Sequence, residues 1–239
     1  MRQLAWDGYP NARDLGGLPT SLSATGTTVW GRVARGPRRE LLTADGWRDA
    51  RRWGVSAVVD LRCAYEIGAR DGDPDVPADA ITLLSVVNAP TEDQENAEFR
   101  EVCFPILDSP EYWRHNWRIL PDLVLGALNA IASAPAGVLV HCSAGRDRTG
   151  MISALLLSNA GVAPEDVAAD YAESVRAMAG ANAHAPNDRQ AAWDADQIEK
   201  WITETAPIVE DVAAHPDAAF AAIGASPDLL RRLRALLTE

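Results

Sequence analysis

The chain has 239 residues, 47% of them apolar, enough for a sizeable core, and no apolar run approaches membrane-spanning length. A net charge of −12 argues against a nucleic-acid partner, because most of the surface would repel its phosphates. Cys63, Cys103 and Cys142 form neither a paired framework nor a CxxC metal spacing, which fits a reducing compartment. Met1 to Leu18 lacks the basic-then-apolar pattern of a secretory signal; a cytoplasmic location is expected, with export lacking a cleavable signal left open.

Residues 6–20, rich in Gly, Pro, Asn and Asp, read as irregular, and a first strand is expected from Thr28 to Val33. Thr43 suits the cap of a helix that stops at Gly54, a residue free to adopt a left-handed backbone. Val55 to Leu61 reads as a buried strand and Ile81 to Val87 as the next. From Ser109, Trp113, Trp117, Leu120, Val124, Leu128 and Ile131 recur at near-helical spacing, with Pro121 as a kink or break. A short strand at 137–141 follows, then a helix ending at Gly161 and another opened by Pro164. Residues 177–187 read as a loop, and Asn187 with Gln190 has capping-box spacing for a helix to about Thr205. A last helix is expected after Ser226. Strands alternating with helices imply an α/β fold, a mostly parallel central sheet flanked by helices, in one domain over residues 1–239.

The segment His141-Cys142-Ser143-Ala144-Gly145-Arg146-Asp147-Arg148-Thr149-Gly150 lies between strand-like Val138–Val140 and a helix-like run. A loop that opens a helix points several N–H groups at one spot, and the helix dipole adds positive potential there. That is a phosphate cradle with a cysteine at its base. Beside such groups a thiol pKa of ~8.5 can fall to about 3.5–7.5, so Cys142 reads as a thiolate nucleophile. Arg148 can grip two non-bridging oxygens with its planar fork. Gly145 permits the turn, Thr149 can hydrogen-bond the sulfur, and residues Ser143 to Thr149, Arg146 included, form the phosphate-binding loop.

The reaction expected is two-step phosphoester hydrolysis through a phosphocysteine, without metal or other cofactor. Three aspartates compete for general acid, in the order Asp147, Asp108, Asp60; Asp147 reads alternatively as a charge at a helix N-terminus and Asp60 as the ion-pair partner of a nearby arginine. Zinc is disfavoured because His141 and Cys142 lack partners at ligand spacing. A phosphate-recognition module without turnover and a sulfur-transfer loop remain as alternatives. Arg32, Arg35, Arg38 and Arg39 cluster early and read as a further source of local positive charge, tempered by an arginine bias in a chain whose only lysine is Lys200.

These residues resemble the cysteine-dependent tyrosine and dual-specificity phosphatase superfamily, and more narrowly the bacterial atypical tyrosine/lipid phosphatases of the mycobacterial tyrosine phosphatase B type. Asn11-Ala12-Arg13-Asp14-Leu15-Gly16-Gly17, Val58-Val59-Asp60-Leu61-Arg62 and the ending from Ile223-Gly224 to Leu237 carry the resemblance beyond the loop. It implies Cys142 as nucleophile, Arg148 as phosphate binder and Asp147 as the loop aspartate credited with acid work. Arg146 departs from that family's usual lysine; a positive charge there, as in phosphoinositide phosphatases, favours substrates with several phosphates, while in a chain with a single lysine the exchange reads equally as drift, which leaves lipid activity open. The implied partners are phosphotyrosine proteins or phosphoinositides. Residues 177–206 would correspond to a helical lid, with Trp193 and Trp201 read either as its face or as core packing. Cys63, directly after Arg62, would under oxidation pair with Cys142 if their Cα atoms lay within about 7 Å; otherwise it points into the core.

Overall fold

The computed structural model describes residues 2–77, 84–179 and 189–239. Five strands, β1 (Arg13–Asp14), β2 (Val33–Gly36), β3 (Ala57–Asp60), β4 (Ser85–Asn88) and β5 (Val138–His141), form one sheet in the order β1-β2-β5-β3-β4. β1 runs antiparallel to β2; the other pairings are parallel. β5 is central, with Arg35 beside Val140 and Asp60 beside His141. Three carboxyl ends therefore converge where β5 opens into the cysteine loop, the edge at which open α/β sheets place their sites.

Buried strands are apolar on both faces when both faces are covered. Val33, Val59, Val138 and Val140 face the larger core, while Ala34, Val58 and Leu139 face a smaller one with Trp6, Tyr9, Leu42 and Trp47. The smaller side is closed by α1 (Ala44–Trp53), which Thr43 caps by accepting the Gly46 N–H and Gly54 ends at φ +113°. The larger side holds α2 (Ala97–Cys103), α3 (Tyr112–Ile119), α4 (Pro121–Ser133), α5 (Asp147–Asn159), α6 (Pro164–Met178), α7 (Ala195–Ala214), α8 (Pro216–Ile223) and α9 (Pro227–Thr238). α5 runs through this core with 11 of its residues buried, so the loop that opens it rests on a rigid base. Among the described residues no helix is long and apolar enough to cross a membrane.

Several boundaries differ from expectation. β2 starts at Val33, not Thr28: Thr28 bonds Leu15 and Leu18 in a turn-rich hairpin-like approach. Pro121 splits the long helical stretch, because a proline lacks the N–H needed inside a helix but suits its first turn. The helix expected from Asn187 begins at Ala195, capped by Asp194 in a capping box with Gln197, and continues past Thr205 to Ala214. Gln190 instead donates to the Asp108 carbonyl at 3.0 Å, and Asn187 lies outside the described residues. Ile81 to Leu83 of the expected fourth strand also lie outside them. Ser226 caps the last helix as expected.

Candidate active site

β5 ends at His141, and Cys142, 2% exposed, begins the loop that becomes α5 at Asp147. Every carbonyl from Cys142 to Gly145 is held from behind. The neutral His141 ring faces the Cys142 carbonyl with Nδ1 at 3.0 Å. The Arg38 N–H donates to the Ser143 carbonyl at 2.9 Å. Asn11 Nδ2 donates to the Ala144 and Gly145 carbonyls, both at 3.2 Å, and Arg35 Nη2 donates to the Gly145 carbonyl at 2.5 Å. In a trans peptide C=O and N–H point in opposite directions. Four carbonyls turned outward therefore turn the amides of Ser143, Ala144, Gly145 and Arg146 into the bowl, where the amides of the first turn of α5, which lie too early in the helix for an intrahelical carbonyl, add to them. Gly145 is required twice over: its φ is +68°, and a Cβ would sit 2.4 Å from the Gly36 carbonyl carbon.

A second shell of charge lies behind this bowl. Asp170 of α6, 1% exposed, pairs with Arg35 at 2.6 Å, with Arg13 at 3.3 Å and with Arg2. Arg13 in turn donates to Asn11 Oδ1 at 2.5 Å and to Ser174 Oγ at 2.6 Å. Burial opposes the Asp170 charge, but Arg13, Arg35 and Arg2 outweigh it and hold its pKa far below the carboxylate range. Burial lowers the Arg35 pKa to about 10 against the pull of Asp170, so both members stay charged at neutral pH. Asp14 accepts the Gly16 and Gly31 N–H groups and Trp53 Nε1, locking the segment that carries Asn11 and Arg13.

At the front, Arg148 meets Glu66 end-on, Nη1 to Oε2 at 2.5 Å and Nη2 to Oε1 at 2.7 Å, with Glu92 3.5 Å from Nη1. Burial opposes the Glu66 charge too, but the Arg148 bond and charge hold its pKa low. Burial raises that of Glu92 despite Arg148. An end-on pair uses one hydrogen of each terminal nitrogen and leaves the Nε side of the guanidinium for a second, parallel fork.

Of the three candidate acids, Asp60 is fully buried and committed. It accepts from Arg62 Nε at 2.9 Å and Nη2 at 2.7 Å and from Arg39 at 3.2 Å, beside His141 Nε2 at 3.7 Å. Its pairing leaves it no route to a substrate oxygen. Asp147, in the first turn of α5, meets Arg146 Nε at 3.2 Å. Asp108 precedes α3, and its carbonyl accepts from Gln190 at 3.0 Å. Thr149 is fully buried, its Oγ1 without a partner among the described residues, and Ser143 Oγ accepts from Arg70 at 3.5 Å.

The early arginines do not act as one patch. They are strung along β2 and the residues on either side of it. Arg32 therefore reaches the chain end at Glu239, whereas Arg35 lies beneath the loop, Arg38 pairs with Asp73 and Arg39 with Asp60. A strand advances about 3.3 Å per residue, which separates positions three apart by roughly 10 Å. The Cys63 sulfur faces the Glu92 carbonyl at 3.2 Å, and burial pushes its thiol up to about 11. Trp193 and Trp201 pack edge to face, centroids 5.2 Å apart, against the larger core. Sequence reasoning assigned no chemical role to Glu66, Glu92, Asn11, Arg13 or Asp170. A signal existed for Asp170: it shares the buried helical stripe of Val167, Tyr171 and Ser174, where an acid demands a partner.

Residues 4–239 match the family model described as "Tyrosine phosphatase family". A Cupriavidus necator protein whose name places it provisionally among the tyrosine-protein phosphatases is 31% identical over 186 residues, 72% of this chain and 62% of its own length. The triple specificity protein phosphatase PtpB of Mycobacterium tuberculosis is 29% identical over 188 residues, 69% of this chain and 66% of its own. The chain thus spans somewhat less than two thirds of these relatives. Among solved structures, the core catalytic domain of the PP-IP phosphatase SIW14 from S. cerevisiae, in complex with citrate, aligns with a TM-score of 0.37 at 12% identity, covering 78% of this chain and 94% of that one. On the match over nearly its whole length, the chain belongs to the tyrosine phosphatase family.

Proposed function

We propose that the protein is a cysteine-dependent phosphomonoesterase, with phosphotyrosine in proteins as its main substrate. The observation that carries this reading is the run of four outward carbonyls, which aims consecutive amides at one point above Cys142. In the first step the Cys142 thiolate attacks phosphorus; the S–P bond forms as the P–O bond to the leaving group breaks. The leaving oxygen takes a proton from Asp147, or from Asp108 as the second candidate. Arg148, aimed by Glu66, and the loop amides of Ser143 to Thr149 balance the charge of the phosphoryl oxygens. In the second step the carboxylate that gave up its proton takes one from the attacking water; the new P–O bond forms as the S–P bond breaks, which restores the thiolate and the acid and releases inorganic phosphate. The positive charge of Arg146, paired with Asp147, favours phosphoinositides as additional substrates, while pocket depth decides whether phosphoserine and phosphothreonine are accepted as well.

A panel of phosphotyrosine, phosphoserine and phosphoinositide substrates, run with EDTA, tests the reading. Turnover of the phosphotyrosine peptide with EDTA present is expected. Binding of all three without turnover would replace the enzyme by a recognition module.

A further inference from the structure

The buried charges behind the bowl do more than fill space. Arg35 projects from β2 on the face that meets α5 and α6, and its two terminal nitrogens bridge Asp170 and the Gly145 carbonyl at 2.6 and 2.5 Å. Its side chain is 1% exposed and that of Asp170 2%. Burying an arginine here is costly unless a counter-ion and hydrogen bonds satisfy it, and an aliphatic residue would pack the same face without that cost.

We propose that Arg35 and Asn11 are positioning residues of the phosphate cradle. They clamp the Ala144 and Gly145 carbonyls outward so that the Gly145 and Arg146 amides face the bound phosphate, with Asp170 as the counter-ion that holds the clamp in place. This rests on the phosphatase reading and extends it to residues that never touch substrate. The cause is geometric. Released from the clamp, either peptide can rotate, and a rotation that swaps one inward N–H for a carbonyl replaces an attraction for the dianion with a repulsion. Arg13 joins the two halves, bonded to Asn11 Oδ1 and to Asp170. A lysine at position 35 keeps the charge but replaces two terminal nitrogens in a fixed planar fork with a single point donor, so the aligned bridge between Asp170 and the Gly145 carbonyl is lost.

The test measures inorganic phosphate binding by calorimetry in a Cys142→Ser background, and kcat and KM in the active enzyme, for Arg35→Lys, Asp170→Asn and Asn11→Gly. Glycine at position 11 retains the left-handed backbone found there (φ +59°) while removing the donor. Arg35→Lys is expected to weaken phosphate binding about tenfold and to lower kcat roughly 10–100-fold, less than the ~10²–10³ typical of deleting an oxyanion donor outright. Asn11→Gly is expected to produce a smaller loss of the same kind, with KM changing less than kcat. Melting curves separate this from a packing defect, which would shift the midpoint and leave phosphate affinity in the folded protein intact. Unchanged affinity and kcat in folded Arg35→Lys would overturn the proposal. If that variant does not fold, an unchanged Asn11→Gly overturns it. Failure of Cys142→Ser itself to bind phosphate would instead reject the phosphatase reading.

Discussion

The two sides of the bowl are built from different materials. Behind it, side chains grip the backbone: Asn11 and Arg35 hold carbonyls, and Asp170 sits buried beneath them. In front, side chain grips side chain: Glu66 and Glu92 flank Arg148, and all three are largely shielded from solvent. The rear sets where the amides point through direct bonds to the carbonyls. The front holds one edge of the Arg148 guanidinium on Glu66. On the proposed reading, anion recognition divides into a part set by peptide geometry and a part set by the carboxylates that aim Arg148.

The comparison breaks most sharply at the sulfur itself. Cys142→Ser is expected to abolish hydrolysis while retaining phosphate binding, since the rear clamp is untouched; turnover surviving in this variant would reject the mechanism. Arg148→Ala should come next, lowering kcat about 10³-fold and weakening binding as well, because the front loses the guanidinium that meets the ligand; steady-state kinetics would show a change confined to KM if the arginine merely bound. Asp147→Asn should slow a substrate with a poor leaving group roughly 10²-fold and a good leaving group much less. Asp108→Asn serves as its control, and equal rates for both variants and the parent would remove both from the acid role. Glu66→Gln, which keeps the shape but not the charge of the front pair, should cost roughly tenfold in kcat with the fold intact.

A last prediction concerns stability and leaves the rate aside. Burial lowers the His141 pKa to about 4 from 6.5, despite Asp60, so its neutral ring keeps Nδ1–H on the Cys142 carbonyl. Between these values the unfolded chain binds a proton that the folded one refuses, so stability falls as pH drops from about 6.5 towards 4, by an amount on the order of a few kcal/mol. Denaturant midpoints across that window should fall in the parent and stay flatter in His141→Gln. Equal slopes would show that the histidine is not the group responsible.

Much of this was legible in the chain. The loop betrayed itself because a strand, Cys142, Gly145, Arg148 and a helix stand in a spacing with few uses, and Thr43, Gly54 and Ser226 mark helix ends by local chemistry alone. What escaped depends on contacts between residues distant in sequence. Asp170 meets Arg35 across 135 positions and Glu66 meets Arg148 across 82, and no local pattern encodes either pairing. The early arginine cluster was read in part: Arg35 does lie beneath the loop, whereas Arg32 turns to Glu239, and Arg38 and Arg39 pair with Asp73 and Asp60. Asp60 was readable both as an acid at a strand end and as the ion-pair partner of a nearby arginine, and its burial beside Arg62 and Arg39 bears out the second reading.

The most direct measurement is a rapid acid quench during turnover of a phosphotyrosine peptide, followed by peptide mapping of the protein. Phosphate attached to the peptide carrying Cys142, at a level that rises when Asp147→Asn is examined with a good leaving group or with slowed hydrolysis, is the expected result. Steady turnover with no phosphate on Cys142 at any quench time, or phosphate on another residue, would contradict the account.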